Sequence, residues 1–514
     1  MNPLLVLGLD GATFDIIDAH RNRLETLSNL IETGYAADLE STQPAITSVA
    51  WPAFVTGQNP ARFGLFDFLR CDPSNLEFSL NDVRKREFDF FWDYQDADIG
   101  IASVPMVPYR GVDGFFIQGS LARINADRIT KPPSLDTQLP DAYDNHIDPS
   151  TNTDQMVVDT FERIEAREQV FEKLVTDFDL DIYFLMFSII DLVQHHFWAY
   201  QDESHPAYEP SEYDDVIPRV YERVDETIGR LLSHFDDPNV VIASDHGFGP
   251  KRVDVNLNAL LAAEGYLEYS DDVETSVANR IWSVKSLIKE MPLYRFVPEF
   301  VKSTVKSSFP SHNDINDIVD WSGTKAYSFG ASGNVSLNLA GREKEGIIPS
   351  RSYESVRDEI INFLELVEDP ETGKQIIESA KPREAVYNGP YLERAPDIVL
   401  RPRSGYHLDA LLGRTPFTRQ TQPIPNSGMH MPSGILLANG PDFVSGVRGN
   451  NRSIVDVAPT LAHLVGGQVP TKMDGDPIIE ALTAEDEPTR ADIEVPERIR
   501  VRRRVLMLKQ LGRI

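Results

Sequence analysis

"NVVIASDHGFGP", residues 239–250, decides how the rest of the chain is read. A short run that is apolar on both faces is a strand covered by helices on both sides, the habit of parallel sheets. It closes on Asp245 and His246 and then turns on Gly247 and Gly249. Carboxyl ends of parallel strands are where such folds place their sites. Neighbouring side chains on a strand point opposite ways, so Asp245 and His246 reach one site only if the strand has ended and the chain has turned. The two glycines permit that turn.

Two other segments repeat the pattern. "LLVLGLD" (4–10) and "DIYFLMFSIID" (181–191) are apolar runs closed by Asp10 and Asp191. "RLETLSNLIETG" (23–34) and "YDDVIPRVYERVDETIGRLLSHF" (213–235) have helical spacing, and a strand is expected near 36–40. "SGILLANG" (433–440) reads as another buried strand, "SIVDVAPTLAHLVG" (453–466) as a helix, and "KAYSFGASGNVSLNL" (325–339) as two strands with a glycine turn. The expected class is α/β: a three-layer core with a mostly parallel sheet, helices on both faces, and a helical insertion. Residues 1–480 are expected to form one catalytic domain, with insertions at about 70–135 (irregular, a lid or loop system) and 251–320 (amphipathic helices). Residues 481–514 read as an acidic linker and the basic helix "PERIRVRRRVLMLKQLGRI". That helix is expected to dock on the chain's own acidic surface, with a partner or an anionic membrane as the alternative.

The 514 residues are 41% hydrophobic and 25% charged, a globular composition. No apolar run approaches the roughly 20 residues that span a bilayer. The N-terminal stretch reads as a first strand rather than a signal peptide. The single cysteine, Cys71, leaves no intramolecular disulfide and suits a cytoplasmic protein. Against 49 basic residues stand 80 acidic ones, a net charge of −31. Such a charge repels duplex nucleic acid. Spread along the chain, it suggests a halophilic surface, where salt screens the self-repulsion.

An Asp at a strand end is often only a helix N-cap. Three in one chain, Asp10, Asp191 and Asp245, favour a shared site. "IIDLVQHH" sets Asp191 and His195 four residues apart, on one side of a helix, a half-site for a transition metal. His196 points elsewhere at that spacing. "NSGMHMPSG" places His430 in a loop before a strand, where it supplies a further nitrogen. Asp10, Asp191, His195, Asp245, His246 and His430 together offer three carboxylates and three imidazoles. That set can hold two cations roughly 4 Å apart, the arrangement for in-line phosphoryl displacement. In "QPAITSVAWPAFVTG" (43–57), Thr47 and Ser48 stand side by side, as a nucleophile or as the cap of an ordinary helix.

The ordered set "LGLDG", "TSVAWPAFVTGQNPARFG", "DLVQHHFW", "SDHGFGP" and "SGMH" resembles the alkaline phosphatase superfamily, and within it the type I phosphodiesterase and nucleotide pyrophosphatase family. The resemblance covers roughly residues 3–70, 180–250 and 325–466. It implies an alkaline-phosphatase-like core and two divalent ions, zinc with manganese as the alternative. Asp191, His195 and His430 would hold one ion; Asp10, Thr47, Asp245 and His246 would hold the other. Thr47, nine residues before Thr56-Gly57, is implied as the nucleophile, attacking phosphorus to give a phosphothreonine that water hydrolyses. The helix that follows would present N–H groups and a positive dipole end to the phosphoryl oxygens.

Two departures touch substrate choice. Diesterase members carry an Asn shortly after the "TG…P…G" segment, where this chain has Phe68 preceded by Asp67. The Arg of the phosphomonoesterase members is also not evident, which leaves Lys325, Arg62 or Arg70 as candidate cations or as ordinary surface residues. The expected function is hydrolysis of a small phosphate ester, a diester or nucleotide pyrophosphate before a monoester. A sulfatase, a phosphoglycerate mutase-like isomerase and a non-catalytic metal-binding relative are the alternatives. The sulfatase signature is missing its Arg, and the mutase's second domain is not recognisable.

Overall fold

The computed structural model describes residues 2–86, 88–120, 128–144, 147, 152–270, 318–413, 415–423, 426–484 and 488–510. The elements that position the site are β1 (Leu4–Leu9), β2 (Tyr35–Glu40), α1 (Thr47–Thr56), β3 (Ile99–Ala102), β4 (Phe116–Ile117), β5 (Thr130–Lys131) and α2 (Thr153–Asp177). They continue with β6 (Ile182–Phe187), α3 (Ile189–Gln201), α4 (Val216–Leu232), β7 (Asn239–Ala243) and β8 (Gly247–Asn256). The chain closes with β9 (Gly428–Met431), β10 (Ser433–Asn439), β11 (Val447–Arg448), α5 (Val457–Gly466) and α6 (Glu497–Gln510).

One ten-stranded sheet runs β11-β2-β10-β7-β1-β6-β3-β4-β5, with Arg452–Ser453 also paired to β2. β1 lies parallel between β6 and β7, in register Leu4↔Ile182 and Leu4↔Asn239. Only β10 and β5 run against their neighbours in this order. The sheet is therefore mostly parallel.

Alternation along each central strand feeds two cores. Leu4 and Val6 of β1, with Phe184 and Met186 of β6, pack with Trp51, Phe54 and Leu461 from α1 and α5. Leu5, Leu7 and Leu9, with Tyr183 and Leu185, pack with Phe171, Val193 and Val224 from α2, α3 and α4. Both faces being apolar is why these strands read as unbroken hydrophobic runs. Trp51 is wholly buried, and truncating such a side chain costs about 4 kcal/mol.

Several expectations change. Residues 70–135 are not solely an irregular excursion. After a hairpin of Leu69–Asp72 with Glu77–Leu80, they supply β3, β4 and β5 to the sheet edge. The expected helical insertion at 251–320 falls largely on 271–317, outside the described residues. Its start belongs to the framework, as β8 and the helix Leu257–Ala263. The two strands expected in 325–339, Ala326–Ser328 and Val335–Leu337, pair antiparallel in a four-stranded sheet with Ile377–Pro382 and Ile398–Pro402.

The basic helix α6 lies on the chain's own acidic surface. Arg503 pairs with Asp89 at 2.8 Å and with Asp93, Arg502 with Asp113 at 2.9 Å, and Arg498 with Asp96. No helix among the described residues is long and apolar enough to cross a membrane.

Candidate metal centre

The six expected side chains come from four separate segments and meet at one end of the sheet. Asp10 follows β1 directly, and its N–H donates to the Phe187 carbonyl at the end of β6 (3.1 Å). The chain then turns at Gly11, with φ of +71°. A Cβ there would lie 3.3 Å from the Asp191 backbone, so this close approach of the turn to α3 suits glycine. The turn is held from behind. Gln194 donates to the Gly11 carbonyl (2.7 Å), Tyr221 donates to Gln194 (3.0 Å), and the Thr13 N–H donates to Tyr221 (3.1 Å).

Asp191 lies in the first turn of α3, and His195 one turn later on the same face, 3.5 Å away. Asp245 and His246 fill the break between β7 and β8, so both turn inward although they are adjacent. His430 departs from the expectation. It lies on a strand, β9, not in a loop, and the pairing Phe248↔His430 with β8 fixes its position.

The three imidazoles share one arrangement. His195 Nδ1 faces the Gly428 carbonyl (3.1 Å) and Asn426 Oδ1 (3.2 Å), His246 Nδ1 the Gly247 carbonyl (3.1 Å), and His430 Nδ1 the Ala45 carbonyl (3.1 Å). Carbonyl oxygens accept only, so each Nδ1 carries the proton and each Nε2 keeps its lone pair. Those Nε2 atoms converge. His195 and His430 are 3.0 Å apart there, His430 is 3.2 Å from Asp191, and His246 is 3.3 Å from Asp245 and 3.7 Å from Asp10.

Burial sets the proton affinities. It lowers His195 and His246 and pushes His430 down to about 3, so all three are neutral near pH 7. It raises Asp245, and Asp191 up to about 7. Asp10 rises well above the usual range through burial and then the charges of Asp245 and Asp191. Buried Oδ atoms of Asp10, Asp191 and Asp245 have no hydrogen-bond partner among the described residues. Imidazole lone pairs and crowded carboxyl oxygens, whose raised proton affinities a cation in place of the proton would relieve, are a set that fits divalent cations. The donor atoms of Asp191, His246 and His430 lie within 4.8 Å of one another, as do those of Asp10, Asp245 and His246. His246 thus stands between two groups.

Thr47 opens α1, with Ile46 as the cap residue, and its Oγ1 is 3.4 Å from His246 Nε2. The N–H groups of Thr47 and Ser48 donate no hydrogen bond among the described residues, as the first turn of a helix leaves them. Ser48 Oγ is buried without a partner among those residues.

A cavity beside the cluster is walled by His195, His430, Phe68, Leu408, Lys251 and Arg401. Phe68 contributes an apolar wall. Asp67 turns away, accepting from the N–H groups of Leu69, Ala331 and Ser332 and from the Ser332 hydroxyl (2.9 Å). The cations considered from sequence are elsewhere: Arg62 pairs with Asp474 (2.8 Å), Lys325 lies over Tyr266, and Arg70 borders a different cavity. Sequence reading missed Lys251, whose ammonium donates to Asp254 (2.9 and 3.0 Å). Its signal was alternation, since in "KRVDV" Lys251 shares the inward register with Val253 and Val255. It also missed Asn426 and Gln194, supports that carry no motif.

The family described as type I phosphodiesterase / nucleotide pyrophosphatase matches residues 4–421. No curated protein matches the sequence. Among solved structures, human ectonucleotide pyrophosphatase / phosphodiesterase 5 is similar at a TM-score of 0.50 and 14% identity, over 94% of this chain and 100% of that one. Phosphonoacetate hydrolase from Sinorhizobium meliloti 1021, in complex with phosphonoformate, is similar at a TM-score of 0.55 and 16% identity, over 90% of this chain and 95% of that one. At these identities the likeness is one of fold.

Proposed function

The chain belongs to the type I phosphodiesterase / nucleotide pyrophosphatase family and is a hydrolase of that phosphoryl-transferring type, and from this premise we propose that it cleaves small phosphodiesters or nucleotide pyrophosphates with Thr47 as nucleophile. The observation that carries the reading is the convergence of three Nε2 lone pairs and three carboxylates beside the Thr47 hydroxyl. Asp191, His195 and His430 would hold one divalent ion and Asp10, Thr47, Asp245 and His246 a second, which would supply Lewis acidity toward the phosphoryl group. Nitrogen and carboxylate donors together suit zinc.

In this reading the Thr47 oxygen gives up its proton and bonds to phosphorus as the bond from phosphorus to the ester oxygen breaks, and the leaving oxygen takes up a proton. Water then splits the phosphothreonine to release the phosphoryl product and restore the Thr47 hydroxyl. The Thr47 and Ser48 N–H groups, at the positive end of α1, are donors suited to phosphoryl oxygens. Preference for a diester follows from charge. A monoester dianion calls for free cations, whereas Lys251 is committed to Asp254 and Arg401 to Glu40 (2.6 Å). A diester monoanion asks for less, and its organic arm suits the wall of Phe68 and Leu408.

The test is hydrolysis of p-nitrophenyl esters after chelation and re-addition of Zn²⁺ or Mn²⁺. Cleavage of the bis-ester well above the monoester and the sulfate is expected. Faster monoester or sulfate cleavage, or metal uptake without any cleavage, would replace this reading with a phosphomonoesterase, a sulfatase, an isomerase or a non-catalytic relative. The acid-rich composition supports a salt-adapted protein, expected to melt higher in molar KCl than in dilute buffer. The lone cysteine supports a cytoplasmic address.

A further inference from the structure

A second cavity, of about 390 Å³, adjoins the one beside the metal cluster. Ser332 lines both, and the successive residues Asp67 and Phe68 face one cavity each. The second is lined by Arg70, Arg86 and Arg394. None of the three makes an ion pair among the described residues. Arg70 donates to Ser79 Oγ (2.9 Å) and Arg86 to Asn81 Oδ1 (3.3 Å). Arg86 and Arg394 lie against the same aromatic ring, with guanidinium carbons 5.8 and 4.7 Å from the Tyr391 centroid.

That placement is costly as it stands. Two like charges share one ring, and the cost falls on Arg86, which is half-buried, whereas Arg394 and Arg70 reach solvent. Burial, and next the charge of Arg394, hold the Arg86 guanidinium below its ordinary proton affinity. The nearby carboxylates are engaged elsewhere: Asp82 with Arg84 (2.8 Å), Glu343 with Arg342 (2.8 Å), Glu393 with Arg383, and Asp67 with the 331–332 turn. Asp72 also borders the cavity and feels the charge of Arg70, and Asp82 acts on Arg86, yet neither forms an ion pair with these arginines among the described residues. The backbone also makes room for it. Gly64 has φ of +71°, and a Cβ there would lie 2.9 Å from the Tyr391 ring and 3.0 Å from an Arg86 nitrogen.

We propose that this cavity is an oxyanion site, separate from the metal cluster, in which Arg70, Arg86 and Arg394 bind a phosphoryl group. Guanidinium forks match phosphate oxygens in pairs, and a dianion between Arg86 and Arg394 turns their repulsion into attraction. The phosphoryl group comes either from a free anion or from a remote phosphate of the substrate, since the two cavities are neighbours. Binding there does not depend on how the metal cluster acts.

Residue-level footprinting of the metal-loaded full chain with phenylglyoxal tests this. Inorganic phosphate is expected to slow modification of Arg70, Arg86 and Arg394 by at least about fivefold relative to the exposed Arg351, where sodium chloride of equal ionic strength does not. In R86Q, protection of Arg70 and Arg394 is expected to disappear while the melting midpoint is retained. Unchanged modification rates with phosphate, or protection that persists in both R86Q and R394Q, would overturn the proposal. Kinetics of R86Q assign the source. A rise in KM confined to diesters that carry a second, terminal phosphate identifies the substrate; an unchanged KM for such diesters, with protection present in the parent, identifies a free anion.

Discussion

His195 and His430 face each other through Nε2 atoms 3.0 Å apart, each with its Nδ1 proton given to a backbone carbonyl, of Gly428 and of Ala45. Two neutral imidazoles so oriented point lone pair at lone pair, which is unfavourable until a cation lies near both. The same holds for the carboxylates around them, whose raised proton affinities measure the cost of collecting charge in a buried place.

Metal affinity and the contribution of Asp191 to metal-free stability should therefore respond to pH in opposite senses. Asp191 titrates at about 7 in the metal-free fold, above its unfolded value near 4. A group raised on folding contributes stability that is fully present below the unfolded value and is lost as pH rises through the folded one. The chelated parent should accordingly lose more stability between pH 5.5 and pH 8 than its Asp191→Asn variant does, a comparison that cancels the opposite contribution of the lowered imidazoles His195, His246 and His430. Zinc binding displaces the proton, so affinity should rise by about tenfold per pH unit for each proton released below pH 7. Calorimetric titration in two buffers of different ionisation enthalpy reads the proton count. A pH-independent affinity would show that these carboxyls are not ligands.

Thr47→Ala should lower turnover of a bis-ester by about a thousandfold or more if Thr47 carries the covalent step. Ser48→Ala should leave kcat within about twofold. It should also be neutral or slightly stabilising, because the buried Ser48 hydroxyl gains no hydrogen bond that its loss would forfeit. Turnover numbers and denaturation midpoints of the two variants check both statements. A dead Ser48→Ala beside an active Thr47→Ala would exchange their roles.

What could be read from sequence follows from what each pattern encodes. β1, β6 and β7 were legible because a strand buried on both faces must be apolar throughout, and Asp10 and Asp245 because each follows the end of such a run. Asp191, expected at a strand end, instead lies in the first turn of α3, since β6 stops at Phe187 and the apolar residues after it belong to the buried helix. The strand character of His430 was not legible. "SGMHMPSG" carries turn residues, and only pairing with Phe248, some 180 positions earlier, makes it extended. β3 to β5 were hidden for a related reason: β4 and β5 are two residues long, too short to show alternation. Arg86 and Arg394 belong to one cavity through tertiary contact alone, since more than 300 residues separate them.

Gln194 is expected to matter more than its distance from any motif suggests. It is wholly buried and spans the Gly11 carbonyl and the Tyr221 hydroxyl. Gln194→Leu keeps the bulk but strands both partners, at a cost of about 2–4 kcal/mol. Urea denaturation of the chelated variant measures this term alone. Because the Gly11 turn also orients Asp10 and, through its N–H, Asp245 (3.3 Å), zinc affinity should fall by about ten- to a hundredfold as well. Lost stability with unchanged zinc affinity would confine Gln194 to the packing of α3.

The helix α6 gives a prediction independent of the metal cluster. Arg503 is largely buried and reaches both Asp89 and Asp93, and Asp93 is itself buried against the hydrophobic layer. Burial raises the Asp93 carboxyl, and the neighbouring Arg503 opposes that rise. Arg503→Ala leaves a buried carboxylate without its cation, which costs about 3 kcal/mol. Asp93→Asn in the same chain removes the stranded charge and keeps an acceptor for the Phe90 N–H, which now bonds Asp93 at 2.6 Å. The double variant should therefore recover most of the loss. A double-mutant cycle at pH 7 reads the coupling directly. Additive losses would mean that α6 is held by its exposed pairs and apolar contacts, with the Arg503–Asp93 contact contributing nothing.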